Sequence, residues 1–452
     1  MNLTDWNDRM KLSQVVVKVN TGADAIKRAP IVEENTGIKC LRIGDVSQKK
    51  KFSQWGFTKV TNDVYEKFQL KTGDIIIART GNTIGVNTYI ESELPAVFNN
   101  GLIRIKVDDK KVIPRYFYYI MQTEKFKNHI NSICFGTSTQ PNMQIDDLLL
   151  YETEIPSLRI QNEAVNILKS IDDKIDLNNQ MNETLESMAK AIFKEWFIDF
   201  GPVRAKAEGR RPFGMDNETA ALFPDSFEDS ELGPIPKGWR VKTLGEVVNC
   251  FDSKRIPLSS SEREKRKGIF PYYGASSLMG YVDDFIFDGV HILMGEDGSV
   301  INQDGSPVLQ YVWGKFWVNN HAHVLTAKDI SNEHLFLFLK HTVVTPFITG
   351  AVQPKLNQGN MNRILFIKAL PEIDAIFSKN IESLFAQIRS NRDENIYLCE
   401  LRDLLLPKLI SGEISLSNKE KEISPTSNET TTHIPVQQKI YAYAKNEEKL
   451  NV

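Results

Sequence analysis

The sequence predicts an α+β fold made of two similar mixed domains and two long helices, with a pseudo-two-fold internal repeat. Two segments, one after Pro156 and one after Pro371, carry apolar residues at the alternating spacing of three and four that is typical of a coiled coil. These helical patterns superimpose at a shift of 217 residues (395 − 178). Short motifs that precede the helices recur in the same order. Together these observations indicate a duplicated domain-plus-helix.

The apolar rows of the helices are interrupted by polar residues at the same depth in both copies. The first helix has the rows Ile160, Ile167, Lys174, Met181, Met188 and Ala164, Ile171, Asn178, Leu185, Ile192. The second has the rows Phe377, Leu384, Asn391, Leu398, Leu405 and Ile381, Ile388, Asn395, Arg402, Leu409. A polar residue in a seam lowers stability but fixes the register of a helix pair. We therefore predict that the two helices pair with each other in antiparallel orientation.

The repeated motifs extend through the mixed domains at shifts between 213 and 233 residues. They pair Phe98-Asn99-Asn100 with Val318-Asn319-Asn320, Gly136 to Pro141 with Gly350 to Pro354, and Ile155-Pro156 with Leu370-Pro371. A period of this length exceeds the roughly 20–50 residues of solenoid repeats. The repeat is therefore a whole domain with its helix.

The expected order of segments follows from these patterns. We predict a first mixed domain over 1–157, a first helix over 158–200, a linker over 201–233, a second mixed domain over 234–371, a second helix over 372–412 and a disordered tail over 413–452. The first helix would span about 60 Å if continuous. Inside the first domain, Gly73–Ala78 predicts a turn and a buried strand, 102–107 a half-buried strand, and Pro114–His129 one helix with aromatic residues on its core face.

Composition narrows the class of protein. A net charge of −3 excludes a strongly basic protein, so nucleic acid would have to be bound by local patches. The four cysteines lie far apart without a CxxC pair, which argues against a zinc site and a disulfide framework and favours a reducing cytoplasm. The sequence has no signal-peptide pattern and no apolar run long enough to cross a bilayer. We therefore expect a cytoplasmic protein.

Enzymatic motifs are absent from the sequence. It has no GxxxxGK[ST] phosphate loop, no Gly-rich turn between a strand and a helix, and no Asn-Pro-Pro-aromatic tetrad. His321 and His323 form an HxH pair without a nearby cysteine or carboxylate in the sequence, so core or surface histidines are favoured over metal ligands. The acidic pairs Glu296-Asp297 and Asp283-Asp284 are favoured as solvated turn residues. We predict no catalytic residue and no metal site, and a binding function.

Basic and base-reading side chains occur in both mixed domains. Clusters of Lys and Arg neutralise DNA phosphates, whereas Arg, Asn and acidic side chains pair with particular bases. The candidate DNA-binding residues are Lys49, Lys50, Lys51, Arg79, Thr80, Asn82 and Arg104 in the first domain, and Arg263, Lys265, Arg266, Lys267, Glu296 and Asp297 in the second. The lysine cluster follows a predicted strand. Solvated loops remain the alternative for both basic clusters.

Two segments resemble the signatures of a known family. Phe193-Lys194-Glu195-Trp196-Phe197-Ile198-Asp199-Phe200-Gly201-Pro202-Val203 is similar to the central signature of type I restriction-modification specificity subunits, and Leu404 to Ile414 to their C-terminal signature. Pro236-Lys237-Gly238-Trp239 resembles the opening of a target recognition domain. The resemblance covers about 1–414.

This resemblance implies a non-catalytic subunit with two target recognition domains that binds a bipartite, asymmetric sequence in double-stranded DNA. Its partners would be two methyltransferase subunits, which use S-adenosylmethionine, and restriction subunits, which use ATP and Mg²⁺. No cofactor is expected in this chain. Partner contact or helix packing remain equal alternatives for seven apolar residues of the signatures: Ile192, Phe193, Trp196, Phe197, Leu405, Leu409 and Ile410. Other open functions are a fused nuclease that acts alone and a coiled-coil scaffold without DNA contact.

Overall fold

The computed structural model describes residues 9–134, 142–350 and 353–414. These residues form two compact units. Of the described chain, unit 1 contains the residues up to Ile175 and those from Ile396 onward, and unit 2 contains Asp176–Asn395. The first copy of the repeated Gly-Gln-Pro motif, 136–141, and the tail beyond 414 lie outside the described residues. Every helix in the described ranges is too short or too polar to cross a bilayer.

Unit 1 begins with ten short strands and five short helices. The strands are β1 (Met10–Lys11), β2 (Val16–Thr21), β3 (Ile31–Val32), β4 (Lys39–Leu41), β5 (Phe57–Thr58), β6 (Ile75–Ala78), β7 (Asn87–Tyr89), β8 (Ala96–Phe98), β9 (Leu102–Val107) and β10 (Glu152–Thr153). The helices are α1 (Ile43–Ser47), α2 (Asn62–Phe68), α3 (Pro114–Ile120), α4 (Glu124–Cys134) and α5 (Ile145–Leu149).

Two four-stranded sheets organise unit 1. The first has the order β2-β9-β6-β7 and is antiparallel throughout, and the second has the order β3-β5-β4-β8. Strand β6 is buried along its whole length, as the predicted turn and buried strand require. Gly73 before it adopts φ 82°, a backbone conformation that favours glycine. One hydrophobic core lies on each face of β6, because Ile75 and Ile77 belong to one cluster and Ile76 to the other.

Two predictions for unit 1 are wrong in detail. Strand β9 is buried on both faces rather than half-buried, because Ile103 and Ile105 pack in one core cluster and Leu102 in the other. The helix expected over Pro114–His129 is broken after Ile120. The hydroxyl of Thr123 donates to the Ile120 carbonyl (2.7 Å), and its oxygen accepts from the Phe126 N–H, which starts α4. The aromatic face of α3 is buried as expected.

Helix α6 (Leu158–Phe193) follows and runs into a short π-helical turn (Lys194–Ile198). It therefore ends before the predicted residue 200. Phe200 adopts a left-handed backbone conformation, φ 53°, which is uncommon for a bulky residue and redirects the chain into the next helix.

Unit 2 has six short helices, eleven strands and part of the last helix. The helices are α7 (Gly201–Ala207), α8 (Asn217–Leu222), α9 (Leu244–Val247), α10 (Ser260–Lys265), α11 (Asn332–Lys340) and α12 (Gln358–Asn362). The strands are β11 (Phe227–Glu228), β12 (Ile235–Pro236), β13 (Arg240–Thr243), β14 (Val248–Cys250), β15 (Lys267–Tyr273), β16 (Leu278–Val282), β17 (His291–Gly295), β18 (Leu309–Val312), β19 (Trp317–Val318), β20 (Ala322–Ala327) and β21 (Leu365–Lys368). Helix α13 (Pro371–Ile410) closes the fold.

The main sheet of unit 2 is antiparallel with the order β14-β20-β17-β18. A smaller sheet, β16-β15-β19, leaves β16 at an edge. Residues 201–233, treated as a linker in the sequence analysis, carry α7 and α8 in the structure. Their apolar side chains join the main core of the unit: Val203, Met215, Ala220 and Phe223. This segment, although rich in Gly, Pro and charged residues, therefore contributes side chains to the hydrophobic core of unit 2.

The two long helices contact each other inside each unit. In unit 2 the Asn178 amide donates to Asn395 (2.9 Å), and the Asn391 amide donates to Asn182 (2.8 Å). One residue number rises as the other falls, so the helices run antiparallel there. In unit 1, Arg402 contacts Asp172 at 3.2 Å. The predicted pairing and its polar seam are present in these contacts.

One of the two predicted rows of α6 is wrong in its C-terminal half, although Ile160 is buried and Ile167 packs against the core of unit 1. The row that includes Ala164, Ile171 and Asn178 is buried as predicted, but Met181 and Met188 are 37% and 48% exposed. The buried second row contains Gln161, Leu168, Asn182 and Ala189. Two of these residues, Gln161 and Asn182, are amides, which the sequence alone would place facing solvent. Gln161 is nevertheless fully buried, because its amide donates to two carbonyls and accepts from the Ile113 N–H.

Candidate nucleic-acid interface

The lysine cluster of unit 1 lies in a turn after helix α1, not after a strand as predicted. Lys49 adopts φ 49°, which reverses the chain at the helix end. The Lys50 ammonium lies 3.2 Å from the Asp45 carboxylate, so part of its charge is offset. Lys49 and Lys51 are exposed, and the Lys51 N–H donates to the Gln54 side chain. The turn presents a positive surface that is held by its backbone.

A second candidate segment follows the buried strand β6. The Arg79 guanidinium donates to the Asn142 side-chain oxygen at 3.1 and 3.2 Å, and Thr80 forms a bridge with the same residue. Gly81 adopts φ 81°, and Asn82 is exposed. Asn82 is therefore the most accessible base-reading side chain of this turn, while Arg79 is oriented by Asn142.

Arg104 is not available to a ligand in this structure. Its residue is only 4% exposed, and its guanidinium lies over the Phe98 ring. It pairs with the fully buried Asp74 at 3.4 Å and donates to the Asn20 side chain and to two backbone carbonyls. The alternating pattern of β9 suggested a solvent-facing arginine. The structure instead assigns Arg104 to a buried ion pair, which corrects its candidacy for DNA contact.

Two of the basic candidates of unit 2 are neutralised within the chain. Arg266 lies 2.8 Å from the Asp283 carboxylate and over the Trp317 ring. Lys267 lies 2.7 Å from Glu264, and this contact lowers the pKa of Glu264 below its ordinary value. Because their charges are already matched, Arg266 and Lys267 contribute little net positive field.

The other two basic candidates lie beside an exposed strand edge. Helix α10 is capped by the Ser259 side chain and carries Arg263 and Lys265. Arg263 donates to the Met279 carbonyl of β16 at 3.0 Å, and Lys265 makes no ion pair with another described residue. On β16 the side chains of Leu278, Met279 and Tyr281 are all exposed. This strand is not among the sequence-based candidates, although aromatic residues beside basic ones are a usual signal for nucleic-acid binding.

The acidic candidates after β17 already contact side chains of their own unit. Glu296 lies 2.8 Å from Arg255 and 3.6 Å from Lys355, and Asp297 contacts the His321 ring. The Leu356 N–H donates to the Glu296 carbonyl. These carboxylates are partly buried rather than solvated turn residues. Each carboxylate would have to leave its present partners before it accepted a hydrogen bond from a base.

The comparisons with known proteins now have a structural context. A family model described as the type I restriction modification DNA specificity domain matches residues 4–187 and 236–396, more than half of the chain. The chain belongs to this family. Its homologues are type I restriction enzyme specificity subunits, which supports a DNA-specificity role.

Individual relatives agree with this assignment. The chain is 26% identical over 415 residues to the HindI specificity subunit of Haemophilus influenzae, covering 77% of this chain and 88% of the relative. It is 27% identical over 340 residues to the MjaIX specificity subunit of Methanocaldococcus jannaschii, covering 71% and 73%. The crystal structure of a type I S subunit from M. genitalium has a TM-score of 0.56 at 18% identity and covers 90% of this chain and 97% of that chain. This likeness concerns the fold.

The signature residues of this family member are mainly packed inside their own units. Phe193, Trp196 and Phe197 are buried in the core of unit 2, where the rings of Phe193 and Phe197 stack at 5.4 Å. Ile192 is half-buried against the same core. Leu409 is buried in unit 1, and Leu405 and Ile410 are partly buried against the same cluster. For these residues the structure gives the helix-packing alternative a direct basis.

Other apolar side chains of the long helices are exposed. On α6 in unit 2 they are Leu177, Met181 and Met188, which follow helical spacing. On α13 in unit 1 they are Ile396, Tyr397 and Leu404. Both methionines were predicted as seam residues. Because that prediction was wrong by one residue, it did not identify this exposed apolar face.

Proposed function

We propose that this chain is the DNA-specificity subunit of a type I restriction-modification complex and binds a bipartite, asymmetric DNA sequence. The observation that carries the proposal is that both units contain an antiparallel four-stranded sheet of the same connectivity, β2-β9-β6-β7 and β14-β20-β17-β18. Two domains of one design on one chain suit a target with two separate parts. In this proposal each sheet belongs to one target recognition domain.

A contact between the helices supports the pseudo-two-fold repeat. The repeat shift of 217 residues makes Asn395 the counterpart of Asn178. These two residues hydrogen-bond to each other at 2.9 Å. In an antiparallel pair of repeated helices, a residue meets its own counterpart only at the two-fold axis. This contact between counterparts supports the duplication of the helices.

The two proposed domains would read different bases. The turn after β6 offers the amide of Asn82 and the guanidinium of Arg79, which suit adenine and guanine. The turn after β17 offers carboxylates that already contact Arg255 and His321. The exposed cations Lys49, Lys51 and Lys265 would contact phosphates and fix the position of each domain without reading sequence. Chemically different readers make the target asymmetric.

Partner subunits have an exposed apolar surface available on the helices. Leu177, Met181 and Met188 form the accessible face of α6 in unit 2. Methionine side chains are flexible and suit protein interfaces. We assign this face to a methyltransferase subunit. In this proposal S-adenosylmethionine, ATP and Mg²⁺ act in the methyltransferase and restriction subunits, and this chain is not catalytic by itself.

Mapping of methylated adenine in the source genome, with and without this gene, tests the proposal. We expect one methylated motif with two defined parts and an unread spacer, which disappears when the gene is deleted. Persistence of every methylated motif after deletion would contradict the proposal. Purified alone with Mg²⁺, the chain should neither cleave nor methylate DNA, and cleavage by the lone chain would favour a fused nuclease.

The partner face is tested separately. The double substitution Met181→Glu and Met188→Glu should weaken assembly with the methyltransferase by roughly tenfold or more, since each buried apolar side chain contributes about 1.5–3 kcal/mol. Ile26→Glu, at an exposed site outside the helices, is the matched control. Normal assembly of the double variant would remove this face from the interface.

A further inference from the structure

Three side chains with metal-binding chemistry converge in unit 2, although the sequence analysis predicted no metal site. Strand β14 ends at Cys250, and a short turn that starts at Asp252 follows it. The adjacent strand β20 carries His323. The donor atoms of Cys250, Asp252 and His323 all lie within 4.8 Å of one another. The sequence near the HxH motif has no cysteine or carboxylate to complete a metal site. The fold brings a cysteine and an aspartate to His323 from about 70 positions away.

Hydrogen bonds from the surrounding backbone orient two of these side chains. The His323 Nε2–H donates to the Leu356 carbonyl at 2.7 Å, because a carbonyl only accepts. The Val324 N–H donates to Oδ1 of Asp252 at 3.0 Å. His323 Nδ1 and Asp252 Oδ2 are left facing each other at 2.5 Å. A histidine held by a carbonyl on its far nitrogen is the usual arrangement around a protein-bound metal.

We propose that Cys250, Asp252 and His323 bind one Zn²⁺ ion. Thiolate sulfur, imidazole nitrogen and carboxylate oxygen together are typical zinc ligands, whereas Mg²⁺ and Ca²⁺ prefer oxygen alone. Oε2 of Glu296 lies 3.9 Å from His323 Nδ1 and would become a fourth ligand on leaving Arg255, with which it is paired. Water is the alternative fourth ligand. The ion would link the end of β14 to β20 beside the turn that carries Glu296.

Two neighbouring cations, Arg255 and Lys355, lower the affinity that we expect for Zn²⁺. Arg255 lies 3.3 Å from Asp252 and 2.8 Å from Glu296, and Lys355 lies 3.6 Å from Glu296. Arg255 also donates to the Ala322 carbonyl, so it stays in place. We therefore expect weaker binding than at a four-cysteine site.

Metal content of the full chain tests the proposal. The wild type, Cys250→Ser and the control Cys399→Ser are stripped with EDTA, equilibrated with Zn²⁺ and measured by inductively coupled plasma mass spectrometry. We expect about one zinc per chain in the wild type and in the control. Cys250→Ser should lower the affinity by more than about 100-fold, since even loss of a second-shell partner costs 10–100-fold. Circular dichroism checks that the variants are folded.

Cobalt absorption of the wild type provides a test that needs no variant. Co²⁺ bound in a site of this kind should show a thiolate-to-cobalt charge-transfer band that Zn²⁺ removes. A wild type that holds no more zinc than Cys250→Ser, or that lacks this band, overturns the proposal, and the cluster is then a metal-free ion-pair network. Asp252→Asn should weaken binding without removing the band. The measurement uses no DNA, so its failure leaves the proposed function untouched.

Discussion

Replacement of Arg104 by Met separates a structural role from a role in DNA contact. The guanidinium is buried, lies 3.4 Å from the fully buried Asp74 and donates to the carbonyls of Gln69 and Lys67. Met fills a similar volume but removes the charge and every donor. The substitution therefore leaves a buried carboxylate with reduced compensation and two carbonyls without these donors.

The expected loss follows from what Asp74 keeps. Removal of one partner from a buried ion pair costs about 3–5 kcal/mol. Asp74 retains the hydrogen bond from the Lys71 N–H at 3.0 Å and the half-exposed Lys106 at 3.5 Å. We therefore expect the free energy of unfolding to fall by the lower end of this range, about 3 kcal/mol. For a unit of this size that corresponds to a fall in Tm of about 6–12 °C. Lys106→Met, which removes a partly exposed partner of Asp74 and leaves the Arg104 pair in place, should cost less than Arg104→Met.

Thermal unfolding of Arg104→Met, Asp74→Asn and the double variant measures this coupling. The double variant should lose less stability than the sum of the single variants, because neither charge is then left without its partner. Below the unfolding temperature, Arg104→Met should bind the target DNA with unchanged affinity. Unchanged Tm together with weaker DNA binding would refute the reasoning and restore Arg104 as a DNA contact.

Three further predictions concern pH, salt and spacing. Burial raises the pKa of Asp374 to about 6, so the contribution of this group to stability falls as pH rises from about 4 to 6. Burial lowers the pKa of His334 to about 3, so the contribution of this histidine falls as pH drops below about 6.5. His334 Nδ1 lies 3.4 Å from Asp374, so the two groups titrate as a coupled pair, and Asp374→Asn should make the free energy of unfolding rise more steeply between pH 4 and 6 than in the wild type. Equal slopes in the two proteins would contradict this. Lys265→Ala should reduce the slope of log affinity for DNA against log salt concentration by about 1. Lys267→Ala removes a charge that is already paired with Glu264 and should change this slope much less. Equal changes of slope in the two variants would count against a phosphate contact by Lys265. If the length of the helix pair sets the DNA spacer, insertion of four residues next to Asn178, matched in the facing part of α13, lengthens the pair by about 6 Å and should widen the spacer by about 2 base pairs with both half-sites unchanged. Altered half-sites with the old spacer would refute this dependence on helix length.

The helices and buried strands were predictable because their signals are local. The spacing of apolar residues marked α6 and α13 to within a few residues except at the end of α6, and the isoleucine run marked β6. The error in the seam of α6 arose because Met181 is more hydrophobic than Asn182. Only tertiary contacts reveal that Asn182 is buried by its hydrogen bond to Asn391 while Met181 faces solvent.

The candidate site was less predictable because a charge in the sequence carries no information about its partner. Arg104, Arg266 and Glu296 have the chemistry of DNA contacts, yet each is paired with a residue between 17 and 41 positions away. Such pairs form only when the sheets fold. The same limitation hid the cluster of Cys250 and His323, whose strands become neighbours through the order of the sheet.

The polar seam is best explained by register rather than by strength. A neutral hydrogen bond contributes about 0.5–1.5 kcal/mol net, less than the 1.5–3 kcal/mol of a buried leucine, so an apolar pair in place of Asn182 and Asn391 would bind the helices more tightly. If one helix slid by seven residues, Asn178 would face Ile388 and Asn182 would face Leu384. Each buried amide without a partner then costs about 1–3 kcal/mol, and several such penalties add up. The asparagine pairs therefore weaken the helix contact but fix a single alignment, and a slip of one heptad would shift one helix along the other by about 10 Å.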